Sequence, residues 1–341
     1  MRVAVVGGGV IGVTSAVAIT DAFPGYKVDI FAEEFSPNTT GDGSAGLWGP
    51  YLHGDTPVNN ISRWSGITHR WLSEIWKSGL SPEVGVCLLP MYRVTSSPEG
   101  LPSPFWIESV HGAHKLTPKE LQKLNEENRS KYTDGYHFVT YTAEPIYLLP
   151  WLLKKFINAG GSIKKRKISA LHELIEEGYD LIINCTGLGA RELIGDKTVT
   201  PIRGQVFRVK SPWMMIGYIE EDEDGNYIIP NIESTILGGT HQEGDFDTTP
   251  RKEDSTFIFE GCTRISPSLK QAEVIKEWVG LRPGRPKVRL EPEVLRTPYG
   301  KKFTVIHNYG HGGSGVTLCW GCALDVVEIM RKLNTQLKSY L

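Results

Sequence analysis

The sequence predicts an α/β fold, with a parallel sheet of the nucleotide-binding kind and a second α+β domain built on a mostly antiparallel sheet. Three observations carry this. The chain opens as strand, glycine turn, helix: the apolar run Arg2–Val6 enters Gly7-Gly8-Gly9-Val10-Ile11-Gly12, then a small and apolar stretch from Val13 to Thr20. A second apolar run, Tyr179 to Cys185, ends in Thr186-Gly187 and reads as a strand covered on both faces. Between about residues 200 and 290 the apolar positions alternate as in antiparallel strands.

The elements follow in order. In the opening unit Gly7 allows a tight turn, Gly9 lets the backbone approach a pyrophosphate, and Gly12 lets helix pack on strand. The N–H groups at the helix start then face negative charge. The run Val28–Ala32 ends in Glu33, an acid about 20 residues past the glycines and placed to accept ribose hydroxyls. A dinucleotide is implied; at this point it is NAD or FAD. Pro37 to Pro57 is rich in Gly, Thr, Ser and Pro and reads as loop. Ile61 to Leu80 has helical apolar spacing, Val84 to Ser96 alternates as strand, and Thr117-Pro118 caps a short helix. Glu144 to Ala159 reads as helix and Ser162 to Ile168 as strand. Gly204–Val209, Tyr227–Pro230 and Ser234–Gly239 read as strands, with a helix expected from about Leu269 to Val279. Lys302 to His307 is a strand, Gly310 to Gly315 a glycine turn, and Thr317 to Leu333 a helix.

Nucleotide-type units thus stand at both ends and near the middle. The expected division is a discontinuous nucleotide domain from 1–55, 140–198 and 285–341, with a substrate domain from 56–139 and 199–284.

Composition excludes several classes. The formal charge is −2, and Lys164-Lys165-Arg166-Lys167 is too short for a nucleic-acid surface and reads as a solvated strand edge. No apolar run approaches the roughly 20 residues that cross a membrane. Five cysteines in 341 residues are no disulfide framework. Cys319 and Cys322 stand at CxxC spacing but read as two small buried thiols at a loop-to-helix junction rather than a redox pair. No metal site is read, since His307 and His311 are separated by glycine-rich chain.

Two features push the cofactor toward FAD. Asn184-Cys185-Thr186-Gly187 is a strand end whose backbone can approach a cofactor. Asn308 through Thr317 is a second glycine turn before a second helix, dense in N–H groups that suit a polar ring edge.

With these residues in view, the chain resembles the D-amino-acid oxidase and D-aspartate oxidase flavoproteins nearly end to end. The strings are Val5–Gly12, Ala45-Gly46-Leu47-Trp48, Asn184–Gly187, Arg203-Gly204-Gln205, Gly280-Leu281-Arg282-Pro283, and Asn308–Thr317 followed by Trp320-Gly321-Cys322-Ala323. The resemblance implies a Rossmann-like FAD-binding domain and FAD as cofactor. It implies that Val6, Gly7, Gly9, Val10, Ile11 and Gly12 hold the pyrophosphate and that Glu33 takes the adenosine ribose. Glu34 falls where relatives often have Arg. Thr39 and Thr40 match contacts to the diphosphate and ribityl region, and Gly41 replaces a third Thr of some relatives. Gly46 and Leu47 lie beside the isoalloxazine, and Ile168, Thr186 and Gly187 match further contacts. Gly312, Gly313, Ser314, Gly315, Val316 and Thr317 bind the flavin O2 edge.

On the substrate side the resemblance implies that Arg282, which also counts among the cofactor contacts, grips the α-carboxylate with a planar fork. Tyr227 supports the same carboxylate, and the Gly313 carbonyl receives the amine. No side-chain acid or base is needed, because hydride passes from Cα to flavin N5. The reaction yields a 2-oxo acid, ammonia and hydrogen peroxide. The partners implied are a D-amino acid and oxygen, with no nucleic acid and no membrane; association into a homodimer is left open.

The two branches diverge at the lid. Neutral-substrate enzymes usually carry a second Tyr where this chain has Glu223. Acidic-substrate enzymes carry Arg at the places of His241 and Glu220. The acidic run Glu220-Glu221-Asp222-Glu223-Asp224 reads either as a solvated loop or as a lid that disfavours acidic side chains; on the second reading neutral or basic D-amino acids are expected, with D-aspartate oxidase as the alternative. A protonated His241 would assist an acidic substrate. A third alternative is a nucleotide-binding protein without oxidase activity. The ending Ser339-Tyr340-Leu341 is an imperfect form of the peroxisomal Ser-Lys-Leu signal; the expected location is the peroxisome, with the cytoplasm as alternative.

Overall fold

The computed structural model describes residues 1–222 and 225–339. Glu223, Asp224 and the tail residues Tyr340 and Leu341, which the sequence reading used, lie outside the described residues. The chain begins with β1 (Arg2–Val6), α1 (Val10–Ala22) and β2 (Lys27–Ala32). After a 3-10 turn, Thr40–Gly43, come α2 (Val58–Lys77), α3 (Ser81–Val84), β3 (Val86–Thr95), β4 (His111–Lys115), α4 (Pro118–Asn128) and β5 (Asp134–Ala143). Then follow α5 (Pro145–Asn158), β6 (Ser162–Lys165), α6 (Leu171–Glu176), β7 (Leu181–Asn184) and α7 (Ala190–Leu193). The long antiparallel stretch holds β8 (Thr200–Lys210), β9 (Gly217–Glu220), β10 (Tyr227–Pro230), β11 (Thr235–Gly238), β12 (Gln242–Glu243), α8 (Lys252–Ile265) and β13 (Glu273–Gly284). The chain closes with β14 (Arg289–Arg296), β15 (Lys302–Tyr309) and α9 (Gly315–Ser339).

Two sheets organise these elements. The first has six strands in the order β14-β15-β7-β1-β2-β6. All its pairings are parallel except β14 with β15. Burial on both faces explains the unbroken apolar runs. Val3 and Val5 of β1 and Ile183 of β7 pack into one core, while Ala4, Val6 and Ile182 pack into another on the opposite face. The second sheet runs β12-β8-β11-β10-β9-β3-β5-β4, with β13 also paired along β8. It is antiparallel except where β3 meets β9.

One element departs from expectation. No helix spans Leu269 to Val279. The helix lies earlier, as α8, followed by a 3-10 turn at Pro267–Gln271. Residues 273–284 form β13, antiparallel to the whole of β8. The spacing of Val274, Ile275 and Trp278 fits a helical turn as well as a strand. A full-length strand partner and two adjacent β-branched residues decide for the strand.

The CxxC pair sits inside α9, with both thiols fully buried. Burial pushes the Cys319 thiol up to about 12 and Cys322 well above its usual value. Between them, Gly321 lets α2 approach: its N–H donates to Thr68 Oγ1 at 3.1 Å, and Trp71 stacks on Trp320 at 4.8 Å. Both cysteines are packing residues. Among the described residues, no helix is long and apolar enough to cross a membrane.

Candidate active site

The carboxyl ends of β2, β1 and β7 meet at the first glycine turn. The Gly7 N–H donates to the Phe31 carbonyl and the Cys185 N–H to the Val6 carbonyl, both at 2.8 Å. Gly7 has φ +129°, and a Cβ there or at Gly12 would collide with backbone. Gly9 is different. It is the N-cap of α1, and a side chain there would meet nothing within 4 Å. No side chain caps this helix, and its first turn carries no acid. Open space, free N–H groups and a positive helix end make a cradle for a diphosphate. Val10 and Ile11 continue the cradle, and Thr186 and Gly187 border it from the end of β7. Asn184 Oδ1 accepts from the Thr186 hydroxyl at 2.7 Å. Ile168 is buried beside the same sheet.

Glu33 and Glu34 leave the end of β2 for solvent. Glu33 pairs with Lys167 at 3.5 Å and Glu34 with Lys165 at 3.0 Å. Such exposed pairs are weak and readily exchanged for ribose hydroxyls. Thr39 caps the 3-10 turn through Asp42, its N–H donating at 2.8 Å and its hydroxyl at 2.6 Å. Gly46 has φ +67°, and a Cβ there would strike the Ala143 carbonyl, so the following Leu47 is drawn into a bridge with Thr142.

A second helix end faces the same region. Gly315, at the start of α9, stands against Val10 at the start of α1. The segment 47–52 is strapped over this end. Ser314 Oγ accepts from the Tyr51 N–H at 2.8 Å and contacts the Tyr51 carbonyl at 2.7 Å. Thr317 Oγ1 accepts from the Gly49 N–H at 3.1 Å. Gly312, at φ +54°, packs on the Leu52 carbonyl and donates its N–H to Pro283 at 2.9 Å. Val316 is buried in the main core. Within this turn His311 is buried, its Nε2 has no partner, and burial pushes its imidazole down to about 3, so it is neutral. Asn308 Oδ1 is likewise unpartnered. Two converging helix N-termini, an empty N-cap position and orphaned polar atoms fit FAD: α1 suits its diphosphate, and α9 a ring edge that gains negative charge.

The Gly312–Pro283 bond ties this turn to β13, which presents a second surface. Across the larger sheet, Trp278, Val206, Gly238 and Tyr227 stand opposite one another in one row. The next row pairs Gly280 with Gly204, and the next pairs Arg282 with Ile202. Residues two apart on a strand share a face, so Trp278, Arg282 and Tyr227 rise from one face around a floor of glycines. The Arg282 guanidinium lies on Gly204, and the Tyr227 ring lies on Gly238 and Gly239; a Cβ at any of these would be closer than 3.0 Å to them.

Arg282 Nη1 donates to the Thr240 carbonyl at 3.0 Å. Tyr227 pairs with the same guanidinium, and Tyr51 lies 6.0 Å beneath it. Burial raises the Tyr227 phenol and takes Tyr51 up to about 12, with Arg282 opposing in both cases. Both phenols stay neutral, and 41 % of Tyr51 remains open, as on the wall of a cavity. A half-buried cation flanked by neutral phenols suits a carboxylate. Gly313 packs against the Tyr51 ring and so stands at the same place.

The lid residues behave otherwise. Glu220 is buried, accepts from both Arg264 Nη2 (2.7 Å) and the Tyr132 hydroxyl (2.6 Å), and faces inward. Glu221 pairs with Arg93 at 2.7 Å. Asp222 accepts from the Ser96 N–H and the Thr95 hydroxyl. Three acids that the sequence set against acidic substrates are thus matched inside the protein. His241 is exposed, one residue past Thr240. Sequence reasoning missed Tyr51, Thr240 and Trp278. Tyr51 lay in an apparently featureless loop, and the other two acquire meaning only from cross-strand register.

A family model described as FAD dependent oxidoreductase matches residues 2–329. Human D-aspartate oxidase is 38 % identical over 329 residues, covering 96 % of this chain and 94 % of the relative. The D-amino acid oxidase of Dugesia ryukyuensis is 36 % identical over 345 residues, covering 99 % and 100 %. Among solved structures, glycine oxidase from Geobacillus kaustophilus superposes with a TM-score of 0.76 at 19 % identity, over 97 % of this chain and 95 % of that one. That likeness establishes the fold.

Proposed function

The chain belongs to the FAD dependent oxidoreductase family, and from that premise we propose that it oxidises D-amino acids to 2-oxo acids, releasing ammonia and hydrogen peroxide. The observation that carries this reading is the Arg282–Tyr227–Tyr51 receptor, joined to the α9 turn by the Gly312–Pro283 bond. FAD, when bound, supplies the hydride acceptor. The chain's part is to fix the substrate. Arg282 holds the carboxylate, Tyr227 donates to it, and the turn at Gly313 offers a carbonyl to the amine. With two substituents fixed, one enantiomer directs its Cα hydrogen inward, and orientation supplies much of the rate. None of these roles calls for a side-chain proton acceptor at the reacting carbon. The six-stranded sheet carries the cofactor cradle and the larger sheet the carboxylate receptor.

Neutral or basic D-amino acids are the substrates we favour. D-aspartate is the second reading, and one observation supports it: Glu220 and Glu221 are each paired with an arginine, so their repulsion of a second carboxylate is largely cancelled. The test is colour and turnover. The purified protein should be yellow, bleach without oxygen when D-alanine is added, and stay yellow with L-alanine. A colourless protein, or bleaching by both enantiomers alike, overturns the reading. A higher kcat/KM on D-aspartate than on D-alanine and D-arginine installs the second.

A further inference from the structure

The indole of Trp278 is threaded between two glycines. A Cβ on Gly43 would stand under 3.0 Å from three atoms of its six-membered ring, and so would a Cβ on Gly280 from two. Gly280 belongs to the substrate face of β13. Gly43 ends the 3-10 turn that begins with Thr40 and is capped by Thr39. The ring therefore spans from the strand that carries Arg282 to the loop that carries the expected cofactor hydroxyls. A second tie runs in parallel: Asn231, in the turn between β10 and β11, donates Nδ2 to the Ala45 carbonyl at 2.8 Å. The loop's own bonds, from Thr39 and Ser36 to Asp42 and from Ser44 to Gly41, shape the turn without fastening it to the rest of the protein.

We infer that Trp278 is a positioning residue that latches the cofactor loop, residues 39–46, onto the substrate strand. It acts through the loop backbone rather than by touching the reacting atoms. A half-buried indole packed against two peptide backbones contributes a large apolar contact from one side chain. The latch rests on the reading of the loop as an FAD contact. Its consequence is that cofactor retention and substrate affinity are separable: losing the ring loosens the 3-10 turn, which Asn231 and Ala143 then hold only through Ala45 and Gly46, while Arg282, four residues along the strand, keeps its bond to Thr240.

The experiment titrates apoprotein with FAD, read by quenching of flavin fluorescence, for wild type, Trp278→Phe, Trp278→Leu, Gly43→Ala and Gly43→Ala/Trp278→Leu. Circular dichroism checks the fold, and KM for D-alanine is measured at saturating FAD. Trp278→Leu and Gly43→Ala should each raise the FAD Kd at least about tenfold, and Trp278→Phe less than about threefold. The double variant should bind FAD no more weakly than Trp278→Leu, because the added methyl then has no ring to strike. In Gly43→Ala, which changes no residue of the substrate face, KM at saturating FAD should stay within about twofold. Wild-type affinity in both Trp278→Leu and Gly43→Ala overturns the latch, as does multiplication of their effects in the double variant. If Trp278→Leu does not fold, Gly43→Ala with wild-type FAD affinity is sufficient to overturn it. A wild-type protein that takes up no FAD instead overturns the proposed function.

Discussion

Gly204→Ala is the sharpest test of how the carboxylate receptor is built. Gly204 lies inside β8 with ordinary φ, so its backbone accepts alanine without strain. The added methyl would stand under 3.0 Å from Nη1, Cζ and Nη2 of Arg282, its three nearest atoms. Ordinary contact requires about 3.5 Å, so the guanidinium must retreat by about 1 Å. It is the far end of a flexible side chain, so the fold gives way cheaply and stability should change by less than about 1 kcal/mol. Function should not escape. The retreat breaks the 3.0 Å bond to Thr240 and carries the fork away from Tyr227. A misplacement of this size costs about 100-fold in rate-determining geometry. We expect kcat/KM for D-alanine to fall about 100-fold and the dissociation constant of the 2-oxo acid product to rise at least about tenfold. The FAD spectrum should be unchanged and Tm lower by less than about 4 °C. Steady-state kinetics, product titration and a thermal melt measure all three. Product affinity and kcat/KM within about threefold of wild type would refute the idea that a bare backbone at 204 seats Arg282.

Other outcomes follow from the same geometry. Tyr227→Phe removes one donor to the carboxylate and should raise KM for D-alanine about tenfold, the worth of a hydrogen bond to a charged group; initial rates at saturating FAD measure it. Arg264→Ala leaves the buried Glu220 carboxylate without its cation and should cost about 3 kcal/mol of stability by denaturant titration. His69 and His311 are held neutral by burial, with values near 4 and 3 against an ordinary 6.5. The unfolded chain therefore binds protons between pH 6.5 and about 4 that the folded chain refuses, and stability falls as pH falls through that window. Each histidine contributes a slope of up to about 1.4 kcal/mol per pH unit. His69→Phe should flatten the slope by about one such contribution, measured by denaturant unfolding at pH 7.0, 6.0 and 5.0; parallel slopes would refute the assignment.

Much of this was legible in the sequence, for identifiable reasons. The β1–α1 unit, the β7 strand and the α9 turn declare themselves through local patterns: an apolar run, a glycine, then a helix start. Thr117 with Pro118 announced α4, and the structure supplies the full capping box with Glu120. Local pattern failed at β13, where helix and strand spacing coincide over 274–278 and only the 11-residue partner strand β8 breaks the tie. It failed also for the acidic run at 220–222. Charge can be counted in a sequence, but its partners cannot: Arg264 is 44 residues away from Glu220 and Arg93 is 128 from Glu221.

The glycines show where that boundary lies in physical terms. Gly7, Gly46 and Gly312 occupy left-handed or related backbone at φ +129°, +67° and +54°, and their neighbours in sequence betray the turns they make. Gly204, Gly238, Gly239 and Gly280 make no turn. They are glycine because something flat must lie against their backbone, and what lies there is Arg282, Tyr227 or Trp278. Nothing local distinguishes such a glycine from a merely tolerated one. The need arises from the partner strand, so it becomes visible when β13, β8, β11 and β10 are set in register. A chain that spends Gly204, Gly238 and Gly280 on one sheet face, with Gly239 just past the end of β11, gives up side-chain packing there. That loss is sustained only if the groups laid on the floor hold something else. On the functions proposed above, the floor holds a carboxylate receptor and an indole latch.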